Sequence, residues 1–146
     1  MRPRRRRSSA RTAIADKAVF DASVVLRAAV AESPSAREWL ARLDADLHGH
    51  APELIWIEVA NGLRRAVLAG IVETALARRF LGAALRLPIT LRSHRDLALP
   101  AFDVALDRGL SAYDASYVVL AEALDAILVT ADRTLAAAVA EAELIA

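Results

Sequence analysis

The run Ala126-Ile127-Leu128-Val129-Thr130 constrains this chain more than any other segment. It is short, apolar and rich in β-branched residues, with Asp125 before it and Asp132 soon after. That pattern reads as a buried strand. Lys17-Ala18-Val19-Phe20, closed by Asp21, has the same character near the start. Between these two runs the sequence has helical periodicity for most of its length. Ala22 to Glu32 reads as a first helix. Ser33-Pro34-Ser35 breaks the chain and caps a second, Ala36 to about Leu47, with Trp39, Leu40 and Leu43 on one face. His48 to Pro52 reads as a turn, with a short strand beside it as an alternative. Helices over Leu54 to Ala69 and Val72 to Arg86 follow, the first stopped by Gly70. Leu87 to Leu91 contains Pro88 and so reads as a strand at an edge or an end. Asp96 to Arg108 and Ser111 to Leu124 are two further helices, with Gly109 between them. Asp132 opens a last helix to about Ala140, and Leu144-Ile145 reads as a final short strand. Strands alternating with helices predict an α/β fold, a three-layer sandwich with a short parallel sheet flanked by helices.

The length, 146 residues, suits one domain with a sizeable core. The chain has no cysteine, which excludes disulfides, thiolate metal sites and cysteine nucleophiles. No apolar run approaches the roughly 18 residues of a membrane helix, and no apolar secretory segment opens the chain. The expected setting is the cytoplasm, with no membrane partner. The net charge of +1 combines six arginines in residues 1–12 with a remainder of −5. Residues 1–15 therefore read as a flexible basic leader and residues 16–146 as the folded domain. An acidic body is a poor non-specific binder of nucleic acid unless its acids are neutralised locally.

Four acids stand out. Asp21 and Asp132 follow strands, where the ligand sites of open parallel sheets lie. Each reads equally well as a helix cap. Asp114 is the only charged residue between Arg108 and Glu122, and Ser111 is the better cap for that helix. A lone charge in such a stretch must pair, shift its pKa or bind a cation. Glu58 is another lone acid in an apolar helical stretch, with Asn61, Gly62 and Arg65 on the same stripe. Its rival reading is a solvated face that supplies a partner for Arg65. Together, four carboxylates brought to one end of a sheet repel one another strongly without a cation. Hard ions such as Mg²⁺ or Mn²⁺ suit them, and such ions can activate water in phosphodiester cleavage.

The chain resembles PIN-domain ribonucleases, especially the toxin half of bacterial VapBC-type toxin–antitoxin pairs. The resemblance rests on Val19-Phe20-Asp21-Ala22-Ser23, Ile57 to Arg65, Leu110 to Tyr117, and Ile127 to Leu135. It implies that Asp21, Glu58, Asp114 and Asp132 are catalytic, metal-binding acids, with Ser23, Asn61 and Thr130 in support. It also implies an Mg²⁺- or Mn²⁺-dependent endoribonuclease that cuts structured RNA such as transfer or ribosomal RNA. A homodimer and an inhibitory antitoxin partner are implied as well. Two departures stand out: the Arg-rich leader, and Arg133-Thr134-Leu135 where many members carry a further acid. The second leaves one-ion and two-ion chemistry both open. Arg65 and Arg133 are candidates for flanking phosphates, whereas His48, His50 and His94 lie far from the four acids in sequence. Two rival classes remain. A phosphoryl-transfer or phosphatase domain would want a second Asp where Ser23 stands, and a late lysine, but the only lysine is Lys17. A PIN-fold partner-binding module without activity would not need the intact acid set.

Overall fold

A computed structural model describes residues 16–146. The leader expected over residues 1–15 lies outside the described residues. Five strands form one sheet: β1 (Lys17–Phe20), β2 (His48–Pro52), β3 (Ile89–Arg92), β4 (Ile127–Thr130) and β5 (Ala142–Leu144). Among the described residues there are seven helices: α1 (Ala22–Ala29), α2 (Pro34–Ala41), α3 (Ile55–Leu68), α4 (Thr74–Ala84), α5 (His94–Arg108), α6 (Ala112–Ala123) and α7 (Arg133–Ala137). The strand order is β3-β2-β1-β4-β5, and every pair is parallel.

Alternation along the central strands sorts the helices into two layers. Ala18, Phe20, Ile127 and Val129 face a core shared with α1, α2, α3 and α4, through residues such as Val24, Trp39, Val59 and Ala77. Val19 and Leu128 face the opposite core, made with Leu97 of α5, Tyr117, Val118 and Leu120 of α6, and Leu135 of α7. All four residues of β4 are buried, because helices cover both faces of it. The expected three-layer sandwich is therefore present.

The strand order also creates a crevice. The chain leaves β1 through α1, on the first face, while it leaves β4 through α7, on the second. Since β1 and β4 are neighbours, their connections diverge and open a gap beyond their carboxyl ends. Asp21 and Asp132 both lie there.

Three segments differ from the sequence reading. His48 to Pro52 is a full strand between β1 and β3, not a turn. Its small residues hide it: Gly49 and Ala51 have weak strand preference, but Gly49 lets Leu43 and Phe20 pack against the backbone. The second helix stops at Ala41, because Asp44 adopts a positive φ of 62° and Leu43 bridges to Leu47. The last helix ends at Ala137, which frees residues 142–144 to pair with β4. Ile145 extends that ladder by donating its N–H to the Thr130 carbonyl at 2.9 Å. Pro88 precedes the edge strand β3, where a missing donor is tolerated. Gly109 ends α5 at φ 66°, a left-handed conformation that favours glycine.

Two glycine substitutions should separate close packing from backbone entropy. A Cβ at Gly49 would collide with Leu43 and crowd Phe20 at 3.3 Å, whereas one at Gly82 in α4 would meet nothing within 4 Å. Gly49→Ala should cost about 1–3 kcal/mol by overpacking, while Gly82→Ala should stabilise by about 0.5–1 kcal/mol. Urea unfolding of the two variants checks both signs.

Candidate active site

Asp21 follows β1 and occupies the N-cap position of α1, yet it makes no side-chain capping bond. Its carboxylate is held instead from across the sheet. The hydroxyls of Ser23 and Thr130 both donate to Oδ2, at 2.6 and 2.8 Å. Each hydroxyl is fixed in turn by a backbone donor. The Ala131 N–H donates to Ser23 Oγ at 2.9 Å, and the Asp132 N–H donates to Thr130 Oγ1 at 2.9 Å. A hydroxyl has one proton, and both protons are committed to Asp21. The network thus fixes one oxygen of the carboxylate of Asp21, a residue only 8% exposed. Oδ1 takes no hydrogen bond from the described residues and is not sealed from solvent.

Asp132 does cap its helix. Its Oδ1 accepts from the N–H groups of Thr134 and Leu135 at 2.8 and 3.1 Å, and Oδ2 takes no part in these bonds. Asp114 stands in the first turn of α6, and Ser111 is the cap, accepting the Asp114 N–H at 3.1 Å. Glu58, on α3, receives the Tyr117 hydroxyl on Oε1 at 2.7 Å. This bond joins the two helix layers around the end of the sheet. The partner of Glu58 is thus Tyr117, not Arg65.

Glu58 and Asp114 feel both burial and the charges of neighbouring acids. Burial, and then the charges of Asp132 and Asp21, hold the Asp114 carboxyl above its usual range, against a smaller lowering by Ser111. Burial likewise raises Glu58, with Asp21 and Asp114 adding to it while the Tyr117 hydrogen bond works the other way. Tyr117 is fully buried, and burial together with the Glu58 and Asp21 charges keeps its hydroxyl protonated throughout the ordinary pH range. Among the described residues, however, no three acidic or histidine side chains are assembled into a ready-made cage for an ion. The donor set suits a hard, hydrated cation: Mg²⁺ keeps several waters and commonly uses only one or two carboxylates.

Asn61 is exposed and takes no part in the network around Asp21. Arg65 and Arg133 are exposed too. Of the histidines, His48 and His50 lie in β2, where burial and then the charge of His48 depress His50. The sequence alone assigns Tyr117 no role of its own. Its spacing of three residues from Asp114 was the available signal, because residues so spaced share a helix face.

Two outcomes follow from this geometry. Thr130→Val removes a buried hydroxyl that both accepts from Asp132 N–H and donates to Asp21, so it should cost about 1–3 kcal/mol in thermal or urea unfolding. The raised acids set a pH dependence. Their folded forms hold protons more tightly than their unfolded forms, so they subtract stability as pH rises through and above their ordinary values of 4.5 and 3.8. In chelator-treated protein at neutral pH, Asp114→Asn should therefore raise the melting temperature, and the difference should vanish as pH falls below 3.8.

The PIN domain family model matches residues 18–141. The chain is 41% identical to Ribonuclease VapC9 of Mycobacterium tuberculosis over 119 residues, which span 80% of this chain and 87% of that protein. Among solved structures, PAE2754 from Pyrobaculum aerophilum matches with a TM-score of 0.71 and 28% identity, covering 87% of each chain. A toxin–antitoxin complex from Klebsiella pneumoniae shares the fold, with a TM-score of 0.62 at 16% identity over 86% of this chain and 95% of that one. The chain therefore belongs to the PIN-domain family and, within it, stands with the VapC-type ribonucleases.

Proposed function

We propose that the chain is an endoribonuclease toxin that hydrolyses phosphodiester bonds in RNA, transfer or ribosomal RNA by preference, with Mg²⁺ or Mn²⁺ as cofactor. One observation carries this reading: Asp21 and Asp132 stand at the ends of β1 and β4 near enough to Glu58 and Asp114 for their charges to act on them, and Asp21 is oriented by two hydroxyls. Asp21, Asp132, Asp114 and Glu58 are the residues that would hold the ion, Asp21 through the oxygen that Ser23 and Thr130 leave unbonded. When bound, a divalent ion supplies an activated water and offsets charge on the phosphate oxygens. The protein's own groups hold the geometry. Ser23 and Thr130 keep Asp21 from turning, Tyr117 fixes Glu58, and the N-terminus of α7 fixes Asp132. A non-catalytic module would have no use for this preorganised set.

The partners belong to the same proposal. The Klebsiella pneumoniae neighbour is a toxin–antitoxin complex, which supports a cognate antitoxin as inhibitor. Leu99, Phe102 and Leu106 are spaced along one side of α5 and are 74%, 57% and 72% exposed, which supports a second copy of the chain as a further partner. Among the described residues no helix is long and apolar enough to cross a membrane.

Asp21→Asn tests the core of the proposal. The variant should lose divalent-dependent RNA cleavage while keeping its circular dichroism spectrum. Saturating Mg²⁺ at 100 times its dissociation constant should stabilise the wild type by about 2.7 kcal/mol, and the variant by much less. Undiminished cleavage by Asp21→Asn would sink the assignment.

A further inference from the structure

A groove runs beside the acids between α1 and α3, with a volume of about 280 Å³. Ser23 stands at its site end, Leu26 forms part of its floor, and Arg27 and Arg65 line it. Gly62 makes the groove possible, because any Cβ there would run into the Leu26 side chain. The two helices consequently pack closely at this level, and both arginines are drawn to one cleft. Their placement is regular. Arg27 follows Ser23 by four residues, about one turn or 6 Å along α1. Arg65 follows Glu58 by seven residues, about two turns or 10 Å along α3. Each helix thus carries a site residue at one end of a stripe and an arginine further along it.

Neither guanidinium has an ion pair or hydrogen bond among the described residues. A cation near a helix C-terminus complements the helix dipole, but the dipole does not require both cations to face the same groove. The neighbouring Arg64 makes the contrast, because it lines a different cleft, between α3 and α4, together with Arg78.

We infer that the α1–α3 groove is the track for the RNA strand next to the scissile phosphate, with Arg27 and Arg65 binding successive backbone phosphates. This rests on the ribonuclease reading and extends it to the path of the substrate. Charge complementarity supports it: arginine is the side chain best suited to phosphate oxygens. Continuity supports it too, since a strand whose phosphate lies at Asp21 meets Ser23 and then this groove. The apolar floor suits an unstacked base, which single-stranded RNA can supply.

The test uses full-length protein carrying Asp21→Asn to stop cleavage, and a fluorescein-labelled 12-nucleotide single-stranded RNA of randomised sequence. Affinity is measured across a salt series, with Arg27→Ala/Arg65→Ala compared against Arg64→Ala/Arg78→Ala. Both pairs remove two positive charges, so a general loss of charge affects them alike. The first pair should weaken binding and flatten the slope of log affinity against log salt by about 1.4, or about 0.7 per lost phosphate contact. The second should leave the slope in place. In the cleavage-competent background the first pair should raise KM more than it lowers kcat. Equal effects from the two pairs, or an unchanged slope with the first, would overturn the assignment. So would intact RNA binding with lost inhibition by the antitoxin, which would give the groove to a protein partner. If the wild type cuts no RNA yet its RNA affinity still depends on Arg27 and Arg65, the nuclease reading fails and the groove stands.

Discussion

A carboxylate at the carboxyl end of a buried strand costs several kcal/mol unless its oxygens find donors. Asp21 is such a group, and the bonds from Ser23 and Thr130 to its Oδ2 are what make its position tolerable. Much of the local structure serves those two bonds. Ser23 must lie in the first turn of α1, and Thr130 must end β4 beside Asp21. Parallel pairing of β1 with β4 meets the second condition, because Phe20 stands opposite Val129 and the next residues lie side by side. The hydroxyls are oriented in turn by the backbone of Ala131 and Asp132, so the turn after β4 is tied to the turn after β1. A one-residue slip of register would break this arrangement and turn the apolar residues of β4 to the wrong faces.

The strand order explains why acids gather at this place and no other. The divergence of α1 and α7 leaves a gap beyond β1 and β4 that no helix fills. Side chains from α3 on one layer and α6 on the other meet across it. The Glu58–Tyr117 bond is the direct link between those layers at the site. Tyr117 carries its ring in the second core and its hydroxyl in the site, so one residue serves both packing and orientation. Burial, and then the charges of neighbouring acids, raise the proton affinity of Glu58 and Asp114. That is a destabilising arrangement in isolation, and it fits a site whose stability is completed by a bound cation.

Much of this was legible in the sequence because it is written in local pattern. The apolar runs at Lys17–Phe20 and Ile127–Thr130 can be little but buried strands, and Ser111 announces itself as a cap. Strand β2 was not legible as a full strand, because Gly49 and Ala51 have weak strand preference and take their conformation from pairing with β1 and β3, which are distant in sequence. The site divides in the same way. Its four acids were visible as lone charges among apolar residues. Whether Asp21 or Asp132 was a cap was not visible, since the same local sequence supports either. Only the position of Thr130 beside Asp21 decides it. Tyr117 escaped notice because its ring satisfies every expectation for a core residue, and only its partner on another helix reveals the hydroxyl's role.

The charge distribution ties the site to its substrate. A body with an acidic excess repels a polyanion, and its most concentrated negative charge lies where the scissile phosphate must go. Two features offset this. In the proposed reading a divalent cation would reverse the sign of the site itself, so substrate approach and chemistry would depend on the same ion. Arginines placed one and two helical turns away would attract the backbone without neutralising the acids proposed to hold the ion. Had Arg65 paired with Glu58, as the shared stripe on α3 allows, it would have competed with the cation for a ligand. The hydroxyl of Tyr117 orients Glu58 without bringing a charge, which in the proposed reading would leave the carboxylate for metal and Arg65 for phosphate. Neutral donors on the acids and charged donors on the rim would then let one small crevice bind a cation and an anion at once.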